Sequence, residues 1–323
     1  MPQTITHACF GADLYNKLSD NEKTRIAYRK KDLMMFSQST DSLMFYYIYT
    51  PFLGKKYRNL QYTFHSKKTN LFFSTLINYM KEKEYYNDPR TLVFLYGLIS
   101  HYCLDSTTHP YIVYRTGIFD KSNKNTYKYN GLHAYMESYI DNYYLTSRGI
   151  NNFKFSNFCF SKEKFTKELD NSINYSFKNV YNIDNMNAVY YKSLKQMNSF
   201  LTIFRWDEYG LKKNLYKLID IITPKYVFRF KSLSYCTDDY SNKDLFNLNK
   251  STWIYPVDKR IKSNKSFIEL YDEALNEAYY IITEVNKYFF ENKKININNL
   301  FNNKSYITGI NCDSKLKSKY FEF

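Results

Sequence analysis

The chain has 323 residues, 24% of them charged and 44% hydrophobic, with 46 Lys and Arg against 31 Asp and Glu for a formal charge of +15. That length supplies a sizeable core for one large domain or two, and the richest apolar run, residues 91–100, is too short to span a bilayer. Five scattered cysteines with no CxxC spacing exclude a disulfide framework and a thiolate metal site.

The N-terminal residues show no basic segment leading into an apolar one, so no secretory signal is expected, and a cytoplasmic location follows. The basic charge favours an anionic partner: a phospholipid surface, nucleic acid or another phosphate ester. Lys, Asn, Tyr, Phe and Ile are enriched together along the whole chain, however, which is a compositional bias and not a basic patch. Charge alone chooses nothing.

Taken in order, almost every segment has a helical period. Residues 6–18 place His7, Phe10, Gly11 and Leu14 on one stripe, which turns His7 inward. Residues 21–31 are polar and basic, an exposed loop or helix surface. Ser39, Thr40 or Asp41 is placed to cap a helix running to about Tyr49, with Pro51 and Gly54 ending it. His65 stands at the entry to a helix over about 66–82. Asp88-Pro89 is an N-cap followed by proline at the first helical position. The helix it opens carries Phe94, Leu98, His101 and Asp105 along one stripe, and Gly97, one turn before His101, leaves space for a metal ion beside them. Pro110 disfavours helical geometry at His109, which predicts the helix end there.

Residues 116–130 form a polar connection to a helix with His133 and Glu137, terminated by Gly149. Amphipathic segments recur near 161–181, 184–204 and 207–222. Residues 226–256 are irregular and aromatic, a long loop or short strands. Ser266 and Glu269 form a capping-box pattern that opens the longest helix, as far as Phe289, and the tail after Glu291 has little period. With no repeat and no linker, the expectation is a single all-α, multi-helix domain over 1–323. It would have a metal-binding cleft, its ligands within 1–150, supporting helices over 151–323, and no C-terminal β-sandwich.

The chemistry gathers at the histidines. His101 and Asp105 are four apart, as are His133 and Glu137, so each pair shares a helix face. Imidazole nitrogen and carboxylate oxygen are zinc ligands, and two pairs suggest more than one ion. Cys103 points off the shared face and reads as packing. A lone histidine on an apolar face is usually a core residue. Here all five (His7, His65, His101, His109 and His133) lie in the first 133 residues, at inward-facing or helix-end positions with acidic partners nearby.

In their order these motifs resemble the zinc-dependent phospholipases C, an all-helical family with three Zn²⁺ in a cleft. The resemblance is specific over roughly the first 150 residues. It implies eight side-chain ligands: His7, Asp41, His65, His101, Asp105, His109, His133 and Glu137. Asp41, His65, His101 and Asp105 would hold one ion, His109, His133 and Glu137 a second, and His7 with the bridging Asp105 a third. The family's third ion also takes the amine of an N-terminal tryptophan, which is missing here. Either Pro2 supplies that amine or the third site is weak or empty, so two and three ions both remain open. By the same resemblance the ions neutralise a phosphodiester and activate a water that attacks phosphorus, with Asp41 accepting its proton. No phosphate-cradling glycine motif is present.

The leading expectation is a zinc phosphodiesterase that hydrolyses phospholipid head groups, with peripheral contact to an anionic membrane surface. Phe45, Tyr46, Tyr47, Phe64, Tyr102, Tyr111 and Tyr114 would either cage a choline-like cation or simply pack. An S1/P1-type zinc nuclease acting on single-stranded nucleic acid is the nearest alternative. It shares the Pro2-to-His7 spacing but uses Asp where this chain has Glu137. A non-catalytic metal-binding protein ranks third.

Overall fold

The computed structural model describes residues 4–50, 52–150, 160–205, 207, 209–234, 244–314 and 316–322. Its longer helices are α1 (Thr4–Lys17), α2 (Asp20–Arg25), α3 (Lys30–Phe36), α4 (Lys55–Ser66), α5 (Thr69–Glu82), α6 (Pro89–Thr116), α7 (Leu132–Ser147), α8 (Lys167–Tyr181), α9 (Met186–Phe200), α10 (Leu211–Ile222), α11 (Phe267–Phe290) and α12 (Ile297–Phe301). The only sheet among the described residues is an antiparallel hairpin of β1 (Trp253–Tyr255) and β2 (Asp258–Ser263). The all-α class is as expected. No helix among the described residues is long and apolar enough to cross a membrane.

The axis of the fold is α6. Its N-cap forms as the sequence predicts: the Asp88 carboxylate accepts from the Thr91 N–H at 2.8 Å, and Pro89 has no N–H to leave unpaired. Nearly every residue from Arg90 to Pro110 is buried, the mark of a helix enclosed on all sides. Leu92, Leu95 and Ile99 are wholly inaccessible, and burying each stabilises the fold by roughly 1.5–3 kcal/mol. The helix packs most extensively on α11, which opens with the expected Ser266–Glu269 capping box, and next on α3.

Three local expectations are corrected. The helix does not stop before Pro110 but runs through it to Thr116. Packing of this segment against β1 outweighs the local bias, and the cost falls on the carbonyl of Ser106, to which Pro110 has no N–H to offer. Asp41 caps no helix. It lies in a 3₁₀ turn, Ser39–Phe45, that begins with Ser39 in the left-handed region at φ +45°. Gly97 opens no space beside a metal: a Cβ there would lie 2.4 Å from Phe36 Cβ, so the glycine permits close approach of α6 and α3. The residues just past the irregular 226–256 stretch complete a hairpin with its last strand. The Trp253 indole N–H donates to the Lys265 carbonyl at 3.0 Å, and the ring packs on Tyr111 of α6; Pro51 and residues 235–243 lie outside the described residues.

Candidate metal centre

Because α6 continues, it presents His101, Asp105 and His109 at i, i+4 and i+8 along one face. His7 comes from α1, Asp41 from the 3₁₀ turn, His65 from the last turn of α4, and His133 and Glu137 from the first turns of α7. All eight predicted ligands therefore reach one region. His7, Asp41, His65, His101, Asp105 and Glu137 are buried, while His109 and His133 are partly exposed.

Seven of the eight form two tight groups in which one ligand atom per residue lies within 4.8 Å of every other: His7, Asp41, His101 and Asp105, and then His109, His133 and Glu137. Asp105 sits between the groups. Its Oδ1 is 3.2 Å from His7 Nε2 and 3.4 Å from His109 Nδ1, and its Oδ2 is 3.0 Å from His101 Nε2. In the second group, Glu137 Oε1 is 3.0 Å from His133 Nε2 and 3.5 Å from His109 Nε2. The eighth residue, His65, stands beside the first group. Its Nε2 is 3.3 Å from His101 Nε2 and 3.5 Å from Asp41 Oδ1, with Thr40 Oγ1 at 3.2 Å. Its Nδ1 meets the Gln61 amide at 3.0 Å.

The donor set fits zinc. Imidazole nitrogens and carboxylate oxygens are ligands it accepts. Both ring nitrogens of buried His7, and Asp105 Oδ2, lack any hydrogen bond of acceptable geometry. A buried polar atom without a partner is rare and costly, and a cation would supply what these atoms lack. Two histidines are already oriented for ligation. His101 Nδ1–H donates to the Ser37 carbonyl at 2.9 Å, and His109 Nδ1–H to the Tyr306 carbonyl at 3.0 Å, which turns each Nε2 into the centre.

Charge runs the same way. Burial pushes His65 down to about 4, so it stays a neutral donor. Burial also pulls on His109, but the Asp105 and Glu137 carboxylates outweigh it and lift that imidazole to about 9. Burial likewise opposes ionisation of Asp105, yet His109, His101 and His7 hold it well below the usual carboxylate range. These carboxylates demand positive charge nearby, from imidazole protons or from a metal that replaces them.

A cavity of about 260 Å³ opens on the centre, with Asp41, His65, Asp105, His109 and His133 in its floor and Met44, Val113 and Ile307 in its walls. The aromatic residues proposed as a cation cage do not line it. Phe64, Tyr102 and Tyr111 are core residues, and Lys192 Nζ already lies 3.5 Å from the Tyr47 ring centroid.

Several positioning residues escape a sequence reading. Buried Asp141 accepts from the backbone N–H of Ile5 (3.2 Å) and Thr6 (2.8 Å), capping α1 just ahead of His7. The Gln61 amide donates to Asp41 Oδ1 at 2.8 Å. Each lies four residues from a predicted ligand, Glu137 and His65, so an extended i+4 pattern would have found both. Tyr306 has no such signal. Its ring stacks on His65 at 4.7 Å and 7°, and its N–H donates to the His65 carbonyl at 2.9 Å.

Comparison with known proteins bears on the same residues. The model of a family described as zinc dependent phospholipase C matches residues 6–196, more than half of the chain, with all eight predicted ligands inside the matched span. No curated protein and no solved structure gave a match.

Proposed function

The chain belongs to the zinc-dependent phospholipase C family, and from that premise we propose that it is a phosphodiesterase that hydrolyses phospholipid head groups. The observation that carries the reading is the pair of ligand groups joined at Asp105. His7, Asp41, His101 and Asp105 would hold one Zn²⁺, and His109, His133 and Glu137 a second, with His65 available beside the first. Pro2, the alternative source of a ligand for a third ion, lies outside the described residues.

Zinc held by these groups would supply Lewis-acid polarisation of a phosphodiester oxygen and a more acidic water. The remaining work falls to the chain. Asp41 is the residue we assign as proton acceptor: it lines the cavity, and Gln61 holds its Oδ1 so that the carboxylate keeps one orientation. Ser37 and Tyr306 fix the rings of His101 and His109. Met44, Val113 and Ile307 present apolar walls that limit water around the reacting phosphate. The cavity is sized for a head group and its phosphate, and the chains of a lipid would stay outside it.

Glu137 stands where, by the resemblance, the S1/P1-type nucleases carry Asp, and that favours lipid over the nuclease alternative. The test is elemental analysis of the purified protein, then head-group release from phosphatidylcholine and hydrolysis of single-stranded DNA, each with and without chelator. Chelator-sensitive release of a phosphorylated head group is expected. DNA hydrolysis without lipid hydrolysis would move the assignment to a nuclease, and a protein that takes up no zinc would end the enzyme reading.

A further inference from the structure

We infer that helix α10 is an interfacial docking element whose apolar face lies on an anionic phospholipid surface. The identity of that surface rests on the phospholipid reading above; the observations that mark the helix do not.

Leu211, Leu215, Leu218 and Ile222 recur at i, i+4, i+7 and i+11, with Ile221 beside them, and all five point to solvent. Their exposures run from 55% for Leu215 to 81% for Ile222, whereas Lys213 and Tyr216 on the opposite face are buried. Five large aliphatic side chains on one exposed stripe exceed the scattered apolar residues that a protein surface normally shows. The five side chains project from one face of a single helix, which suits a deformable hydrocarbon boundary.

The charge pattern names the partner. At 100° per residue Lys212 and Lys217 border the stripe on opposite sides. Residues 209–234 carry six basic side chains, of which Lys213 is buried, and one acidic one. That one, Asp220, is turned to the backbone, accepting from Phe230 N–H at 2.7 Å and Lys231 N–H at 2.9 Å. An apolar stripe edged by lysines in a strongly basic segment is the composition of a helix that lies in the interface of anionic lipid.

Its place in the fold ties it to the centre. The segment leaving α10 is held to the start of α7, where Asn130 Nδ2 donates to the carbonyls of Lys225 (2.6 Å) and Val227 (2.7 Å). Two residues into α7 stands His133, the most exposed of the predicted ligands, with 31% of its side chain accessible. Docking through α10 therefore brings this edge of the cavity toward the lipid head groups.

The test uses the full chain in two assays. Zinc-free protein is sedimented with vesicles of phosphatidylcholine, with and without phosphatidylserine, which reads docking without catalysis. Zinc-loaded protein is assayed on a soluble phosphodiester and on the same vesicles. Leu215→Asp with Leu218→Asp should weaken binding to the anionic vesicles by at least about tenfold, abolish vesicle hydrolysis and leave soluble-ester hydrolysis unchanged. Leu218→Trp covers any failure of that variant to fold: the fluorescence it adds should be quenched by brominated lipid. Equal vesicle binding by wild type and the double variant, or no quenching of the fluorescence that Leu218→Trp adds, overturns the inference. So does wild-type self-association that the double variant abolishes, because a second copy would then cover the stripe. Vesicle binding without hydrolysis of any phosphodiester would remove the function proposed above and leave the docking helix in place.

Discussion

Gly309→Ala tests the coupling between a remote turn and the candidate metal centre. Gly309 has φ +65°, and a Cβ there would sit 2.5 Å from the Ser106 carbonyl oxygen and 2.8 Å from Pro110 Cγ. Gly149 has φ +60° with nothing within 4 Å of its Cβ, so Gly149→Ala carries the same conformational penalty with no collision. That shared penalty is roughly 1–2 kcal/mol. The collision at Gly309 is with the backbone of a buried helix and cannot be relieved there. The turn must retreat, drawing the Tyr306 carbonyl from His109 and the Tyr306 ring from His65. Loss of such an orienting partner costs about 10–100-fold in metal affinity, or roughly 1.4–2.7 kcal/mol. Both variants should lose thermal stability, and only Gly309→Ala should bind zinc more weakly in competition with a fluorescent chelator. Equal zinc affinities for the two variants would refute the reasoning.

Asp141→Asn should alter the pH dependence of stability in metal-free protein. Burial raises the Asp141 carboxyl to about 6 despite its bonds to Thr6, so the folded state holds the extra proton and loses stability as pH climbs from about 4 through 6. Relative to the Asn variant, wild type should therefore weaken by up to roughly 3 kcal/mol over that range; calorimetric curves that stay parallel would count against it. Asp41→Asn should slow hydrolysis of a soluble phosphodiester by roughly 10²–10⁴-fold with the far-ultraviolet dichroism unchanged, and near-normal turnover would remove Asp41 as proton acceptor. Gly97→Ala should destabilise by about 1–3 kcal/mol or more through the clash with Phe36 without changing zinc content, measured by denaturant unfolding and elemental analysis. An intact fold that has lost zinc would return Gly97 to the metal site.

The parts of the structure legible in the sequence are those set by neighbours a few residues apart. The Asp88 cap, the Ser266–Glu269 box and the His101–Asp105 and His133–Glu137 pairs all depend on spacings of three or four, which any helix enforces. Where a local rule met a tertiary contact, the contact decided. Pro110 should break α6, and packing on β1 keeps it helical; Asp41 should cap a helix, and the turn at Ser39 sends it inward. Tyr306 was beyond reach for another reason. It meets His109 across 197 positions of chain, through a backbone carbonyl that every residue type possesses.

The turn at Tyr306 also sets an order in time. Synthesis runs from the N-terminus, and Glu137, the last of the eight predicted ligands, emerges 169 residues before Tyr306 (306 − 137). A nascent chain thus holds every predicted ligand long before it holds the group that orients His109 and covers His65. If the centre takes zinc as proposed, tight loading would belong to the finished polypeptide, and a chain cut short after α11 would keep all eight predicted ligands with a looser grip on the ion.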